Sequence, residues 1–444
     1  MDRSRLFGFY PGMLLLLAIW VSGCQPTVYL MPTPAVISTG EHNPFSANPK
    51  LEQSPRVSLL YATNRIPMGE SRDRTYTIWV DQSLRLGVAR LRIGEEETTW
   101  EKLYRMSIGE RQDERPRLAL ENLTEFEAFE PAASFDAPPS EKAAALFSAV
   151  NDDLARSFDK DLMIYVHGAN SNVYRAAAQA AQYRHFTGRN SVVLAFFWPS
   201  AESILRYALD VEHAANSVPH FTRLIALLAR YTDARNLNIL AYSAGAQVVS
   251  PALAALGKEA AGTGRAALKR RLRLGEVYFA APDVALKDFV GDLSRYMDLP
   301  RSVTLALNLD DAVLAFAEAH HGVSRAGRPN PEELTVEEHS FVRDATQEGL
   351  FDLIGIDPER IPDMDAGAHN FWYENAWVSS DVLVQFLFHA DPAVRGLEHN
   401  QGERGAVYWT FPENYPSGSS RSSGRPNSEK TDDSPAACRR VQGV

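Results

Sequence analysis

Short continuous apolar runs alternate along the chain with segments of helical spacing. Runs of this kind are typical of strands buried on both faces, and the intervening segments repeat their apolar residues every three or four positions. The predicted buried strands are residues 162–166, 191–197, 238–242, 274–280 and 302–307. The predicted helices are residues 142–157, 173–186, 202–230 with a break near Pro219, and 380–388. This alternation predicts an α/β fold with a mostly parallel, doubly wound sheet and helices on both faces.

Two further predicted strands precede this region, and the second of them is half-exposed. Residues 57–65 and 84–93 predict added N-terminal strands, because apolar residues in the second of them alternate with basic ones. Residues 94–139 hold acidic runs and weak strand signals that give no clear order of elements. We therefore expect one folded domain over residues 56–395. The Ser-, Gly- and Pro-rich residues 412–444 are expected to be a disordered tail.

The N-terminus has the composition of a secretory signal. Arg3 and Arg5 precede an apolar run over residues 13–21, and small residues then lead to Cys24. The segment Val21-Ser22-Gly23-Cys24 resembles a bacterial lipobox, so we expect residues 1–23 to be removed and Cys24 to carry lipid. By the same resemblance, Gln25 after the cysteine favours the outer membrane, facing the periplasm. Residues 24–55 are rich in Pro, Thr, Ser and Asn and are expected to be a flexible tether.

Charge and cysteine content exclude several classes of function. The formal net charge is -11 and no basic patch is evident, which argues against nucleic acid as a partner. Two cysteines, Cys24 and Cys438, make neither a disulfide framework nor a structural zinc site. We expect no metal and no organic cofactor.

The segment 238–249 predicts a strand, a sharp turn and a helix, with Ser243 at the apex. Small residues stand two positions before and after the serine, at Ala241 and Gly245. A serine nucleophile held above a sheet needs such residues, because strand and helix pass very close together there. The pattern is a nucleophile elbow with alanine in place of the first glycine. The alternative is an ordinary turn whose serine caps the helix.

Other loops at the carboxyl ends of predicted strands carry matching chemistry. The loop His167-Gly168-Ala169-Asn170 follows a buried strand and can present a backbone N–H at Ala169. Ala244, directly after the serine, would supply the second N–H of an oxyanion hole, which stabilises the charged oxygen of a tetrahedral intermediate. His369, before the last predicted helix, is the candidate general base.

The acid that orients this histidine is the least certain member of the set. Asp310 is the leading candidate because it follows the strand ending at Leu307, whereas Asp283 and Asp311 are alternatives. The order Ser243, Asp310, His369 places serine, acid and histidine on three separate loops, in the order typical of one class of hydrolase.

With these residues placed, the chain resembles a family of bacterial α/β-hydrolases of unknown physiological function, often envelope lipoproteins. The resemblance rests on several motifs in order: residues 61–65, 86–89, 166–170, 197–200, the elbow at Ser243, 280–283, Asp310 and His369. It implies an α/β-hydrolase fold and a lipid-anchored serine hydrolase of the esterase or lipase kind. Its substrate would be a small-molecule or lipid ester. The alternative is a non-catalytic envelope binding protein that keeps the fold.

Overall fold

A mixed sheet of eleven strands forms the centre of the described chain. The computed structural model describes residues 27–46, 48, 51–110, 115–130 and 139–416, so the predicted signal peptide, Cys24 and residues 417–444 lie outside it. The strands are β1 (Arg56–Met68), β2 (Thr75–Ile93), β3 (Leu118–Phe129), β4 (Leu162–Val166), β5 (Val192–Phe197), β6 (Leu237–Tyr242), β7 (Leu274–Ala280), β8 (Ser302–Leu307), β9 (Phe351–Gly355), β10 (Glu398–Gln401) and β11 (Val407–Thr410).

Helices occupy most of the connections between these strands. They are α1 (Ala35–Ser38), α2 (Trp100–Ser107), α3 (Glu141–Arg156), α4 (Val173–Phe186), α5 (Tyr207–Tyr231), α6 (Ala246–Lys258), α7 (Ala260–Thr263), α8 (Arg265–Leu272), α9 (Leu286–Tyr296), α10 (Ala312–His321), α11 (Val336–Gln347), α12 (Phe371–Glu374) and α13 (Ala376–Phe388). Among the residues that the structure describes, no helix is both long enough and apolar enough to cross a membrane.

The strand order confirms the predicted fold class. Across the sheet it is β10-β11-β9-β8-β7-β6-β4-β5-β1-β2-β3. Neighbours from β11 to β1 are parallel, and antiparallel pairs flank this block at β10–β11 and at β1–β2–β3. The predicted N-terminal strands therefore lie at one edge, beside β5. The parallel strands all point the same way, so their carboxyl ends lie on one side of the sheet. Ligands of open α/β sheets bind in the crevice outside these carboxyl ends.

Side chains of the central strands alternate between two apolar cores. Within β4, Met163 and Tyr165 pack in the core that α4 and α13 cover. Leu162, Ile164 and Val166 pack in the opposite core, beneath α3, α5, α6 and α9. Burial on both faces explains why these strands appear in the sequence as unbroken apolar runs.

The predicted helix break near Pro219 is wrong. Helix α5 continues through Pro219 from Tyr207 to Tyr231. A proline inside a helix removes one backbone hydrogen bond and costs about 3 kcal/mol. Around it, Phe221 and Leu224 are fully buried and Ser217 bonds to the Asn64 side chain. These tertiary contacts offset the loss.

The predicted flexible tether over residues 24–55 is also corrected where it is described. Leu30, Met31, Ile37 and Phe45 are buried in the core beside α4 and α13. The backbone N–H of Met31 donates to Gln182 Oε1 at 2.9 Å. Apolar residues spaced among the prolines dock this segment, so its composition alone misrepresents it.

The folded domain extends beyond the predicted end at residue 395. Strands β10 and β11 continue the same sheet, and Phe411 and Tyr415 are buried. Residues 412–416 of the predicted disordered tail are thus part of the fold.

Candidate active site

Ser243 stands at a strained turn between β6 and α6. Its φ is +52°, a left-handed conformation that costs a non-glycine residue energy and is found at functional sites. A short 3₁₀ turn, Ser243–Gly245, leads from the strand into the helix. A Cβ on Gly245 would lie 2.6 Å from the carbonyl oxygen of Val166, so only glycine permits this approach to β4. The predicted elbow geometry is therefore present.

Three side chains from three loops form a continuous hydrogen-bonded line. His369 Nε2 lies 2.8 Å from Ser243 Oγ, and His369 Nδ1 lies 2.7 Å from Asp311 Oδ2. Asp311 is fully buried, whereas Ser243 keeps 5% of its surface exposed. A serine, a histidine and a buried carboxylate in this arrangement can activate the serine hydroxyl for nucleophilic attack.

The acid in this line is Asp311, and the prediction of Asp310 is corrected. Asp310 is exposed, and its backbone N–H donates to Asn308 Oδ1. Asp311 caps helix α10, because its Oδ1 accepts the backbone N–H groups of Val313 and Leu314. The cap turns the other carboxylate oxygen toward His369. A helix N-terminus also favours the ionised form of a carboxylate.

The alternative acid, Asp283, has a different role. It is buried, forms a 2.6 Å ion pair with Arg325 and accepts a hydrogen bond from the Tyr207 hydroxyl. Its backbone N–H donates to the carbonyl of Ser243 at 3.0 Å. Asp283 therefore supports the elbow without contacting His369.

Loop contacts hold His369 in place. Asn308 Nδ2 donates to the carbonyl oxygen of Ala368 at 2.8 Å, and the Ala312 N–H donates to that of Gly367. The Tyr242 ring lies 5.3 Å from the imidazole. The tyrosine before the nucleophile thus packs directly against the histidine.

The predicted oxyanion loop lies against the nucleophile. A Cβ on Gly168 would come within 2.8 Å of Ser243 Cβ, so the turn carrying Ala169 approaches as closely as glycine allows. Ala244 follows Ser243 at the start of the 3₁₀ turn. The two alanines thus flank the serine. Their roles as N–H donors remain predictions.

His167 in this loop is structural. It is fully buried and stacked on Trp198 at 5.2 Å. Burial lowers the pKa of His167 to about 3, so the ring is neutral at physiological pH. The ring is thus enclosed and too weakly basic to serve as a second general base.

Two charged groups brace the oxyanion loop, and one of them, Arg65, belongs to the motif of residues 61–65. Buried Arg65, from β1, donates to the carbonyl oxygens of Ser171 and Trp198 and pairs with Glu202. Asp210, from α5, accepts the N–H of Asn170 at 3.3 Å. These contacts connect β1, β5 and α5 to the loop.

A cleft of about 480 Å³ opens over Ser243 and His369. Its walls come from the oxyanion loop, the first turns of α4, the loop before His369, and α12. The lining residues are Gly168, Ala169, Asn170, Ser171, Arg175, Gln179, Tyr242, Ser243, Val313, Asp365, Ala366, Gly367, Ala368, His369, Asn370 and Tyr373. The sequence did not single out Arg175. Within the described ranges, no group of three or more His, Cys, Asp or Glu residues is arranged to hold a metal ion.

The chain matches one family of known proteins. A family model described as an alpha/beta hydrolase of unknown function (DUF900) matches residues 142–378, which is more than half of the chain. This range contains Ser243, Asp311 and His369. Comparison with curated proteins and with solved structures found no match.

Proposed function

The chain belongs to this family of α/β-hydrolases of unknown function, and on that premise we propose that it is a serine hydrolase of carboxylic esters or thioesters. The observation that carries the proposal is the hydrogen-bonded line from Ser243 Oγ through His369 to Asp311. The strained backbone at Ser243 and the cleft above it add support.

In the proposed mechanism, Ser243 Oγ attacks the carbonyl carbon of the ester while His369 Nε2 takes the hydroxyl proton. Asp311 accepts the Nδ1–H bond, which fixes the tautomer and stabilises the imidazolium. The tetrahedral intermediate collapses, and His369 returns the proton to the departing alcohol or thiol. Water then attacks the acyl-enzyme with the same base and releases the acid.

The N–H groups of Ala169 and Ala244 would bind the oxyanion of both tetrahedral intermediates. In other enzymes, loss of one oxyanion-hole donor raises the activation free energy by about 3 kcal/mol. No step in this scheme calls for a metal or an organic cofactor.

A fluorophosphonate probe tests the proposal. We expect the folded chain to be labelled at Ser243 and Ser243→Ala to be unlabelled. Hydrolysis of p-nitrophenyl butyrate should fall by about five to six orders of magnitude, because the nucleophile is gone. Ser294→Ala, which removes an exposed hydroxyl on α9, is the matched control and should label normally. An unlabelled wild-type chain with a normal unfolding transition would contradict the proposal and favour a non-catalytic binding protein.

For location, the proposal is a lipid anchor at Cys24 that holds the domain in the bacterial cell envelope, at the outer membrane facing the periplasm. The supporting observation is the lipobox-like sequence Val21-Ser22-Gly23-Cys24. Several acyl chains on one cysteine would anchor firmly, at about 0.8 kcal/mol per buried methylene.

Replacement of Cys24 tests the anchor. We expect Cys24→Ala to move the protein from the membrane fraction to the soluble fraction and to abolish palmitate incorporation. Cys438→Ala removes the chain's other cysteine and should leave both unchanged. If Cys24→Ala still incorporates palmitate, the lipid anchor at Cys24 is disproved.

A further inference from the structure

We propose that Arg175 makes the cleft selective for esters that carry an anionic group, a carboxylate or a phosphate, beyond the scissile bond. The inference rests on the proposed hydrolase function and names its substrate class. Arg175 lines the same cleft as Ser243 and His369. Its guanidinium is charged at every physiological pH.

Arg175 has no carboxylate partner among the described residues. Its side chain donates one long bond, 3.3 Å, to the neutral hydroxyl of Tyr373. The three buried arginines of the described chain each have an acidic partner: Arg65 with Glu202, Arg325 with Asp283, and Arg395 with Asp381. Within the described residues, half-buried Arg175 shares the lack of an ion pair with half-buried Arg184, Arg189 and Arg273. Among these four, only Arg175 lines the cleft over Ser243. A half-buried guanidinium with one weak neutral partner retains most of its capacity to bind an anion.

Helix stability does not explain this arginine. Arg175 lies in the first turn of α4, where the helix dipole disfavours a cation. The N-terminus of the helix is capped without the Arg175 side chain, because Asn172 Oδ1 accepts the backbone N–H of Arg175 at 2.7 Å. The side chain is thus placed against local electrostatics, as expected of a group that serves a ligand.

The charge balance of the cleft agrees with an anionic substrate. Besides Arg175, the lining residue with a formally charged side chain is Asp365. Asp365 is exposed, on the loop before His369, and forms no ion pair with Arg175. The Arg175 guanidinium is therefore not paired with the one acidic side chain of the lining and can bind an anionic group. In such a semi-enclosed site, a bidentate contact from arginine to a carboxylate or phosphate is shorter and stronger than a neutral one.

Matched pairs of esters test the inference. The probes are p-nitrophenyl butyrate, which is neutral, p-nitrophenyl hydrogen succinate, which ends in a carboxylate, and a butyrate ester whose alcohol bears a phosphate. We expect wild type to prefer at least one anionic ester. Arg175→Gln should lower kcat/KM for that ester by about 10- to 100-fold while changing the neutral ester by less than about threefold. The two anionic probes show which group the site takes. The proposal would be overturned if Arg175→Gln lowered kcat/KM equally for all the esters, or if wild type showed no preference for an anionic ester.

Two variants control for folding and for charge. Arg175→Lys keeps the cation and should retain part of the preference. Arg115→Gln removes a cation that pairs with Glu374 outside this cleft, and should leave the preference intact.

Binding without turnover separates this inference from the hydrolase proposal. In a Ser243→Ala background, calorimetry should show tighter binding of methyl hydrogen succinate, or of methyl phosphate, than of dimethyl succinate. Arg175→Gln should abolish the difference. An anionic preference here with no turnover in wild type would support the anion site while refuting the hydrolase. Equal binding of all three compounds would refute the anion site alone.

Discussion

Asp311→Asn is expected to lower kcat for ester hydrolysis by about 10⁴-fold, whereas Asp310→Asn should leave it within about twofold. Asparagine keeps the oxygen that caps α10, so the helix still begins at Ala312. Its amide N–H₂ would face His369 Nδ1 in place of the carboxylate oxygen. That contact stabilises the tautomer with a proton on Nε2, and such a histidine cannot accept the proton of Ser243.

Steady-state hydrolysis of p-nitrophenyl butyrate by both variants checks this expectation, with the thermal transition as the measure of folding. Asp310→Asn is the matched control. It removes the same charge from the neighbouring residue, which is exposed. If Asp310→Asn lost as much activity as Asp311→Asn, the assignment of the acid would be wrong. If both remained fully active, the triad mechanism itself would fail.

Arg395→Met is expected to reduce the free energy of unfolding by roughly 3–5 kcal/mol. Arg395 and Asp381 are fully buried and pair at 2.6 Å, which connects the chain after α13 to that helix. Removal of the arginine leaves a carboxylate buried without its cation. Burial already raises the pKa of Asp381 against the opposing effect of Arg395. Without Arg395 the raised pKa favours the protonated acid.

This loss should therefore depend on pH. A folded-state pKa above the unfolded value of about 3.9 means that the variant is most stable below that value. It should lose stability as the pH rises through the raised folded pKa, so its deficit relative to wild type is larger at pH 8 than at pH 4.5.

Urea unfolding at the two pH values measures both effects. The double variant Arg395→Met/Asp381→Leu should recover much of the loss, because the buried charge is gone. Arg360→Met is the control, since its exposed pairing with Glu398 is worth less than about 1 kcal/mol. The interpretation would be contradicted if Arg395→Met lost no more unfolding free energy than Arg360→Met. It would also be contradicted if the double variant lost as much as Arg395→Met and Asp381→Leu added together.

Strands β4 to β8 of the central sheet and two members of the candidate triad were predictable because each follows from local constraints, whereas the parallel strand β9 was not predicted. A strand buried on both faces must be apolar throughout, and an elbow at Ser243 must have small neighbours. His369 followed from its place before the last helix. These requirements leave their mark in a few consecutive residues.

The acid was predicted one residue away from its observed position. A strand end specifies a loop, but the choice between Asp310 and Asp311 depends on where the next helix begins. Asp311 stands directly before the apolar segment Ala312–His321, which is the pattern of an N-cap. Capping preference would therefore have selected the observed residue.

Other errors arose where distant contacts decide the structure. The continuity of α5 through Pro219 depends on residues such as Asn64, far away in sequence. The docking of residues 27–46 depends on surfaces of α4 and α13 that no local pattern reveals. Arg175 was missed for the same reason, since an unpaired charge is visible only once its surroundings are known.

The docked N-terminal segment sets how far the active site could stand from a bilayer. The backbone N–H of Val28 donates to the hydroxyl of Tyr174, the residue before Arg175. Cys24 precedes Val28 by four residues, which span at most about 14 Å when extended. If Cys24 is acylated as proposed, the linker between the lipid and the folded domain is too short to let the domain move far from the membrane. The wall of the cleft that contains Arg175 would then lie close to the lipid headgroups, and the enzyme would encounter substrate only at the membrane surface.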